Sequence, residues 1–150
     1  MNHNMKIHIG TDHAGFELKN KLVEYLKNKG HDVIDHGAFS LDPTDDYPDF
    51  VKPVAEAVSK DSQSKGIILG GSGQGEAMVA NKFDDVRAVE YYGGTTEIIK
   101  LGREHNDANV LSLGARFVTD DEAETAVKLF LETDFSGDER HIRRIEEINN

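Results

Sequence analysis

With 150 residues the chain is long enough for one sizeable core and too short for two ordinary domains. Its formal net charge of −11, from 17 Lys and Arg against 28 Asp and Glu, argues against nucleic acid or an anionic membrane as partner, since both need a basic face. The absence of cysteine excludes disulfides, thiolate zinc sites and a cysteine nucleophile, so any base must be a carboxylate or a histidine.

The opening MNHNM lacks the apolar region of a signal peptide, and no run of about 18 apolar residues occurs, so a cytoplasmic protein with no membrane span is expected. Met5 to Gly10 alternates as a first strand and stops at the turn Thr11-Asp12-His13-Ala14-Gly15. Phe16 to Lys29 has apolar residues near helical spacing, with Gly30 as its C-cap. His31 to Asp35 is a short second strand. The segment Gly37–Asp49, with Pro43 and Pro48, is a loop long enough to suspect a functional role. Phe50 to Ser59 predicts a second helix with Pro53 tolerated in its first turn.

Gly66-Ile67-Ile68-Leu69 is a third strand that runs into Gly70–Glu76, GGSGQGE, and then a helix over Ala77–Phe83. Arg87–Tyr92 is a fourth strand and Thr95–Glu104 a helix capped by Thr95 or Gly94. Val110–Gly114 is a fifth strand, Asp120–Leu131 a helix with an acidic first turn, and about 139–148 a final helix. Five alternations of strand and helix predict a single α/β domain, a doubly wound five-stranded parallel sheet with helices on both faces. Such sheets bind ligands beyond the C-terminal ends of their strands. Asp12-His13, Gly70–Glu76 and Arg116 all fall on those ends.

The glycine segment is a natural anion cradle. Glycines accept φ > 0 and let a ligand approach the backbone, and the helix start adds the positive end of its dipole. Gly70 and Gly75 have the P-loop spacing, but Glu76-Ala77 stands where Lys-Ser/Thr would grip a phosphate; the dinucleotide fingerprint fails too, since its third glycine would fall at Glu76. A carboxylate at the mouth of an anion cradle repels phosphate, so Glu76 reads as a group that acts on a substrate. The alternative is a first-turn glutamate placed by the helix dipole. Other candidates are Asp12, His13, Ser72, His105-Asn106 and the cations Arg116, Arg140 and Arg144. Arg140 and Arg144 are one helical turn apart and could grip one phosphate, or simply form a solvated basic helix. Each histidine alone is more often a satisfied structural residue than a functional one. No H-x-x-x-H or similar ligand spacing points to a metal.

TDHAG at 11–15, DYPDF at 46–50, GGSGQGEAMVANK at 70–82, VRAV at 86–89, REHNDANVL at 103–111, GAR at 114–116 and RHIRRI at 140–145 together resemble the type B ribose-5-phosphate isomerases, whose family includes galactose-6-phosphate and allose-6-phosphate isomerases. The resemblance runs through nearly the whole chain in order. It implies a three-layer Rossmann-like sheet and a homodimer or dimer of dimers with active sites at the subunit interface. It also implies isomerisation of a small-molecule sugar phosphate without metal or cofactor. One branch of the family uses a cysteine base at the position of Gly70; this chain resembles the other, in which the base role falls on Glu76. By the same resemblance His105 is the ring-opening acid/base, and Ser72 with its neighbouring N–H groups (Gly71, Gly73, Gln74, Gly75) forms the anion hole. Asp12, His13, Asn106, Arg116, Arg140 and Arg144 match sugar- and phosphate-binding positions, the last two serving the neighbouring subunit's site. The loop Ala38–Asp46 and the segment Glu90–Thr96 are expected to line the pocket. A non-catalytic sugar-phosphate sensor would not need Glu76, and a nicotinamide-dependent oxidoreductase would need a fingerprint that is missing.

Overall fold

The computed structural model describes residues 4–149. Five parallel strands, β1 (Lys6–Thr11), β2 (Asp32–Asp35), β3 (Lys65–Gly70), β4 (Ala88–Tyr91) and β5 (Val110–Gly114), lie in the order β2-β1-β3-β5-β4. The three central strands are buried almost throughout and the two edge strands are not, which is why β1, β3 and β5 carry the apolar residues. Helices α1 (Phe16–Asn28), α4 (Glu97–Asn106) and α5 (Asp120–Glu132) cover one face over Ile7, Ile9, Ile67, Leu69, Leu111 and Leu113. Helices α2 (Pro48–Lys60) and α3 (Gln74–Ala80) cover the other over Ile68 and Val110. The doubly wound parallel sheet expected from the alternation is therefore present.

Strand order sets where a ligand can sit. From β1 the chain steps outward to β2 and then returns to the other side of β1 as β3, so the topological switch lies between β1 and β3. Thr11 pairs with Leu69 there, and Asp12 and the glycine turn leave the sheet side by side.

Strand limits shift by at most a residue, the third helix ends at Ala80 instead of Phe83, and three helix starts differ from the sequence reading. The second helix starts at Pro48, not Phe50, because a proline suits the first helical position, so Pro53 falls in the second turn instead of the first. The third helix starts at Gln74, not Ala77: Gly73, at φ 80°, turns the chain, and Gln74, Gly75 and Glu76 are already helical. Helix α4 has Thr96 as its N-cap without a side-chain bond, while the Thr95 hydroxyl accepts from the Glu97 N–H at 3.2 Å. The last helix, α6 (Glu139–Asn149), touches α4 through His141, which stacks on His105 with ring centroids 4.3 Å apart.

Candidate active site

The centre of the site is the turn from β3 into α3. Its carbonyls face the neighbouring strand: the Ala115 and Arg116 N–H groups donate to Gly70 and Gly71 at 2.8 and 3.1 Å, and the Ser112 hydroxyl donates to the Gly73 carbonyl at 2.6 Å. The N–H groups of the first helical residues have no carbonyl acceptor within the helix, so they turn to side chains or to a ligand. The Ser72 hydroxyl accepts from the Gln74 N–H at 3.3 Å. The Tyr47 hydroxyl packs directly on the Gly75 backbone, 2.5 Å from where a Cβ would be, so any larger residue there would displace the tyrosine ring.

Glu76 is the third residue of α3 and only 4% exposed. Its carboxylate folds back onto Gly70, where an added Cβ would overlap it. The space next to residue 70 can thus hold either a side chain on that residue or the Glu76 carboxylate. Burial raises the Glu76 carboxyl above its ordinary value, the charges of Asp12 and Glu90 push the same way, and a hydrogen bond from its own backbone N–H opposes them. A buried carboxylate so shifted is a better proton acceptor than a solvated one.

Asp12 caps the short 3-10 turn His13–Gly15, accepting from the Ala14 N–H at 3.0 Å, and burial raises its carboxyl too. His13 is held by Asp45: one carboxylate oxygen accepts from the His13 backbone N–H at 3.0 Å and from ring Nδ1–H at 2.7 Å. That bond lifts the imidazole above its usual range, favouring the cation. The Arg116 guanidinium lies over Gly71, 3.1 Å from a notional Cβ. Asp12, His13, Gly71, Ser72, Gly73, Gln74, Gly75, Glu76 and Arg116 are therefore gathered at one edge, as their positions at strand ends predict. Asp12, His13 and Asp45 each bring one ligand-type atom within 4.8 Å, the one grouping of metal-ligating side chains found at that spacing among the described residues. The hydrogen bond between His13 and Asp45 already accounts for that closeness.

His105, Asn106, Arg140 and Arg144 are not with them. Helix α4 descends from the end of β4 and finishes at Asn106, just before Val110, which pairs with Gly66 and Ala88 at the starts of β3 and β4. Arg87 ties this end down by donating from Nε to the Asn106 and Asp107 carbonyls at 3.1 and 3.0 Å. Gly66 and Gly70 are four residues apart along β3, so the end of α4 that carries His105 lies near the opposite end of the sheet, about 13 Å along β3 from the glycine turn. The stack of His141 on His105 puts the start of α6, with Arg140 and Arg144, at that end too.

Residues 7–148 match the family model described as Ribose/Galactose Isomerase. The chain belongs to the ribose/galactose isomerase family. It is similar to ribose-5-phosphate isomerase B of Mycobacterium leprae, at 44% identity over 95% of this chain and 86% of that one. The corresponding Escherichia coli protein is 40% identical over 95% and 93%. Among solved structures, ribose-5-phosphate isomerase B of Mycoplasma genitalium, with bound ribulose 5-phosphate, superposes with a TM-score of 0.93 at 42% identity, over 98% of this chain and 96% of that chain. The single-domain α/β sheet is the fold these isomerases share.

Within this isomerase four side chains near the candidate residues escaped individual notice in the sequence. Asp45 and Tyr47 sit in or beside the loop suspected of function, but nothing in their spacing shows that one holds His13 and the other covers Gly75. Glu90 opens a segment expected to line the pocket; the available signal was a carboxylate on an otherwise apolar strand. His141 follows Arg140 and precedes Ile142-Arg143-Arg144, and reads as part of a solvated basic helix, yet it is 5% exposed.

Proposed function

We propose that this chain interconverts ribose 5-phosphate and ribulose 5-phosphate, without metal or cofactor, as a cytoplasmic homodimer or dimer of dimers. The observation that carries the reading is the buried Glu76 carboxylate folded back onto Gly70 at the head of the glycine turn. Isomerisation requires removing the C2 proton of the open-chain aldose, stabilising the cis-enediolate, and returning the proton to C1. Glu76 takes the proton from C2 and the C–H electron pair becomes the C1–C2 double bond, leaving negative charge on oxygen. The N–H groups of Gly71, Gly73, Gln74 and Gly75, with Ser72, receive that charge, and each such donor is worth roughly 3–4 kcal/mol when removed from an oxyanion hole. The hydroxyl proton on O2 moves to O1, and Glu76-H gives its proton to C1 as the C1–C2 double-bond pair forms the new C–H bond, leaving the carbonyl at C2. Triosephosphate isomerase, which has an unrelated fold, uses a glutamate for the same transfer.

Ring opening needs a second acid/base, assigned here to His105, and the phosphate needs cations, assigned to His13, Arg116, Arg140 and Arg144, with Asp12 and Asn106 on sugar hydroxyls. Because His105, Asn106 and the two C-terminal arginines lie at the far end of the same chain, a second copy must supply them. Exposed apolar side chains are available for that contact: Ile98 and Leu101 on α4, Ile142 on α6, and Met78, Tyr92 and Phe117 around the glycine turn.

Turnover of ribose 5-phosphate by purified protein in chelator-containing buffer, beside allose 6-phosphate, galactose 6-phosphate and erythrose 4-phosphate, tests the reading. The expected result is the highest kcat/KM for ribose 5-phosphate, indifferent to chelator. A higher value for another sugar replaces the named substrate, and no turnover of any of them overturns the isomerase.

A further inference from the structure

Behind the glycine turn, on the side away from the site's mouth, lies a second carboxylate that the reaction as written does not use. Ala88 packs on the α2/α3 face of the sheet and Val89 on the other, so Glu90, two residues beyond Ala88, points toward α3. Its level along that helix is set by a clamp: the Asn81 side chain at the C-cap of α3 accepts from the Ala88 N–H at 2.7 Å and donates to the Ala88 carbonyl at 3.1 Å. From Ala88 to Glu90 the strand climbs about 7 Å. Helix α3 runs in the opposite direction, and stepping back from Asn81 to Ala77 or Glu76 climbs about 6–7.5 Å. Glu90 therefore lies level with the turn of α3 that carries Glu76. Across the ladder it pairs with Ser112, whose hydroxyl is bound to the Gly73 carbonyl at the start of that helix. One Glu90 oxygen, Oε2, is buried and has no hydrogen-bond partner.

We propose that Glu90 is a positioning residue for the isomerisation, a second, half-buried negative charge facing Glu76 from beneath α3 that makes Glu76 a stronger base. This rests on Glu76 being the base. The other groups around Glu76 are Asp12 from the end of β1, which acts with Glu90; Tyr47 over Gly75, uncharged; Ser112 from β5, uncharged; and Arg116 over Gly71, which counters Asp12. Glu90 thus adds to Asp12 from the opposite side of the carboxylate. Burial also raises the Glu90 carboxyl itself, so the pair shares its titration and the acid limb belongs to both groups.

The test is the pH dependence of kcat at saturating substrate, which reports groups in the bound complex. Glu90→Gln and Glu90→Leu both remove the charge, the second with a side chain suited to an apolar strand, whereas Glu90→Asp keeps it. Glu90→Gln and Glu90→Leu should each move the acid limb down by roughly one pH unit, the size of one charge acting over about 10 Å at an effective dielectric near 20. Glu90→Asp should leave it near the parent's. An unmoved limb in the two neutral variants, or an equal shift in Glu90→Asp, overturns the proposal. Glu76→Gln measured alongside separates the two readings: if it keeps near-normal kcat the base assignment fails, and if it is inactive while the limb stays fixed in the neutral variants only the role of Glu90 fails.

Discussion

At the upper end of the sheet Glu76 and Asp12 are 4% and 6% exposed, and the turn beside them is tied by three hydrogen bonds to Ser112 of β5 and to Ala115 and Arg116 just beyond it. At the lower end His105, Asn106, Arg140 and Arg144 are exposed, on the last turn of α4 and on a helix that reaches α4 through His141. The first region has dried its groups and fixed them to backbone, which suits a proton transfer that depends on tenths of an ångström and on a shifted carboxyl. The second keeps its cations in water, where long side chains can close on a phosphate delivered by another molecule. On the proposed reading, a single chain holds two half-sites that face different copies.

The comparison breaks most sharply at Glu76. Glu76→Gln should lower kcat about 10²–10⁴-fold, the range for loss of a general base, with the fold intact by circular dichroism. Gly70→Ala should approach the same loss with Glu76 still present, because its Cβ would take the place of the carboxylate; near-normal kcat in Gly70→Ala would mean that Glu76 does not work from that position. At the exposed end Arg140→Ala should chiefly raise KM, by about 10-fold or more, as expected for a charged hydrogen bond to phosphate, and should weaken the salt dependence of KM. A KM unchanged by that substitution would remove Arg140 from the phosphate. The smallest effect is set by Asp45. Its carboxylate keeps His13 cationic to higher pH than free imidazole, so the cation's contribution to substrate binding is complete at low pH and fades as pH rises through the raised value. Asp45→Asn should bring the rise in KM to a lower pH and alter kcat little; the same KM profile as the parent would show that Asp45 only holds its loop.

Much of the upper half-site was legible before the fold was known. Glycine spacing, the carboxylate at 76 and the polar residues at strand ends are local signals, and the parallel alternation of strands brings them to one edge. From spacing alone the lower half-site was visible only as residue types; its expected roles came from the family resemblance. Spacing cannot show that α4 descends the sheet before His105 is reached, so on spacing alone Glu76 and His105 look equally able to share a site. Glu90, Asp45 and Tyr47 were illegible as partners for a different reason. Their effects arise from contacts across the sheet or from a loop folded over it, and no period or cap in the sequence encodes such contacts.

The direct test of two half-sites meeting between copies is complementation. Glu76→Gln and His105→Asn, each inactive alone, would be co-expressed and purified as mixed oligomers. In a mixed dimer one site carries both substitutions and the other carries neither, so random assembly should recover about a quarter of the parent kcat per chain. Recovery near that level is the predicted result. No activity above that of the separate variants, in oligomers shown to contain both chains, would contradict the account.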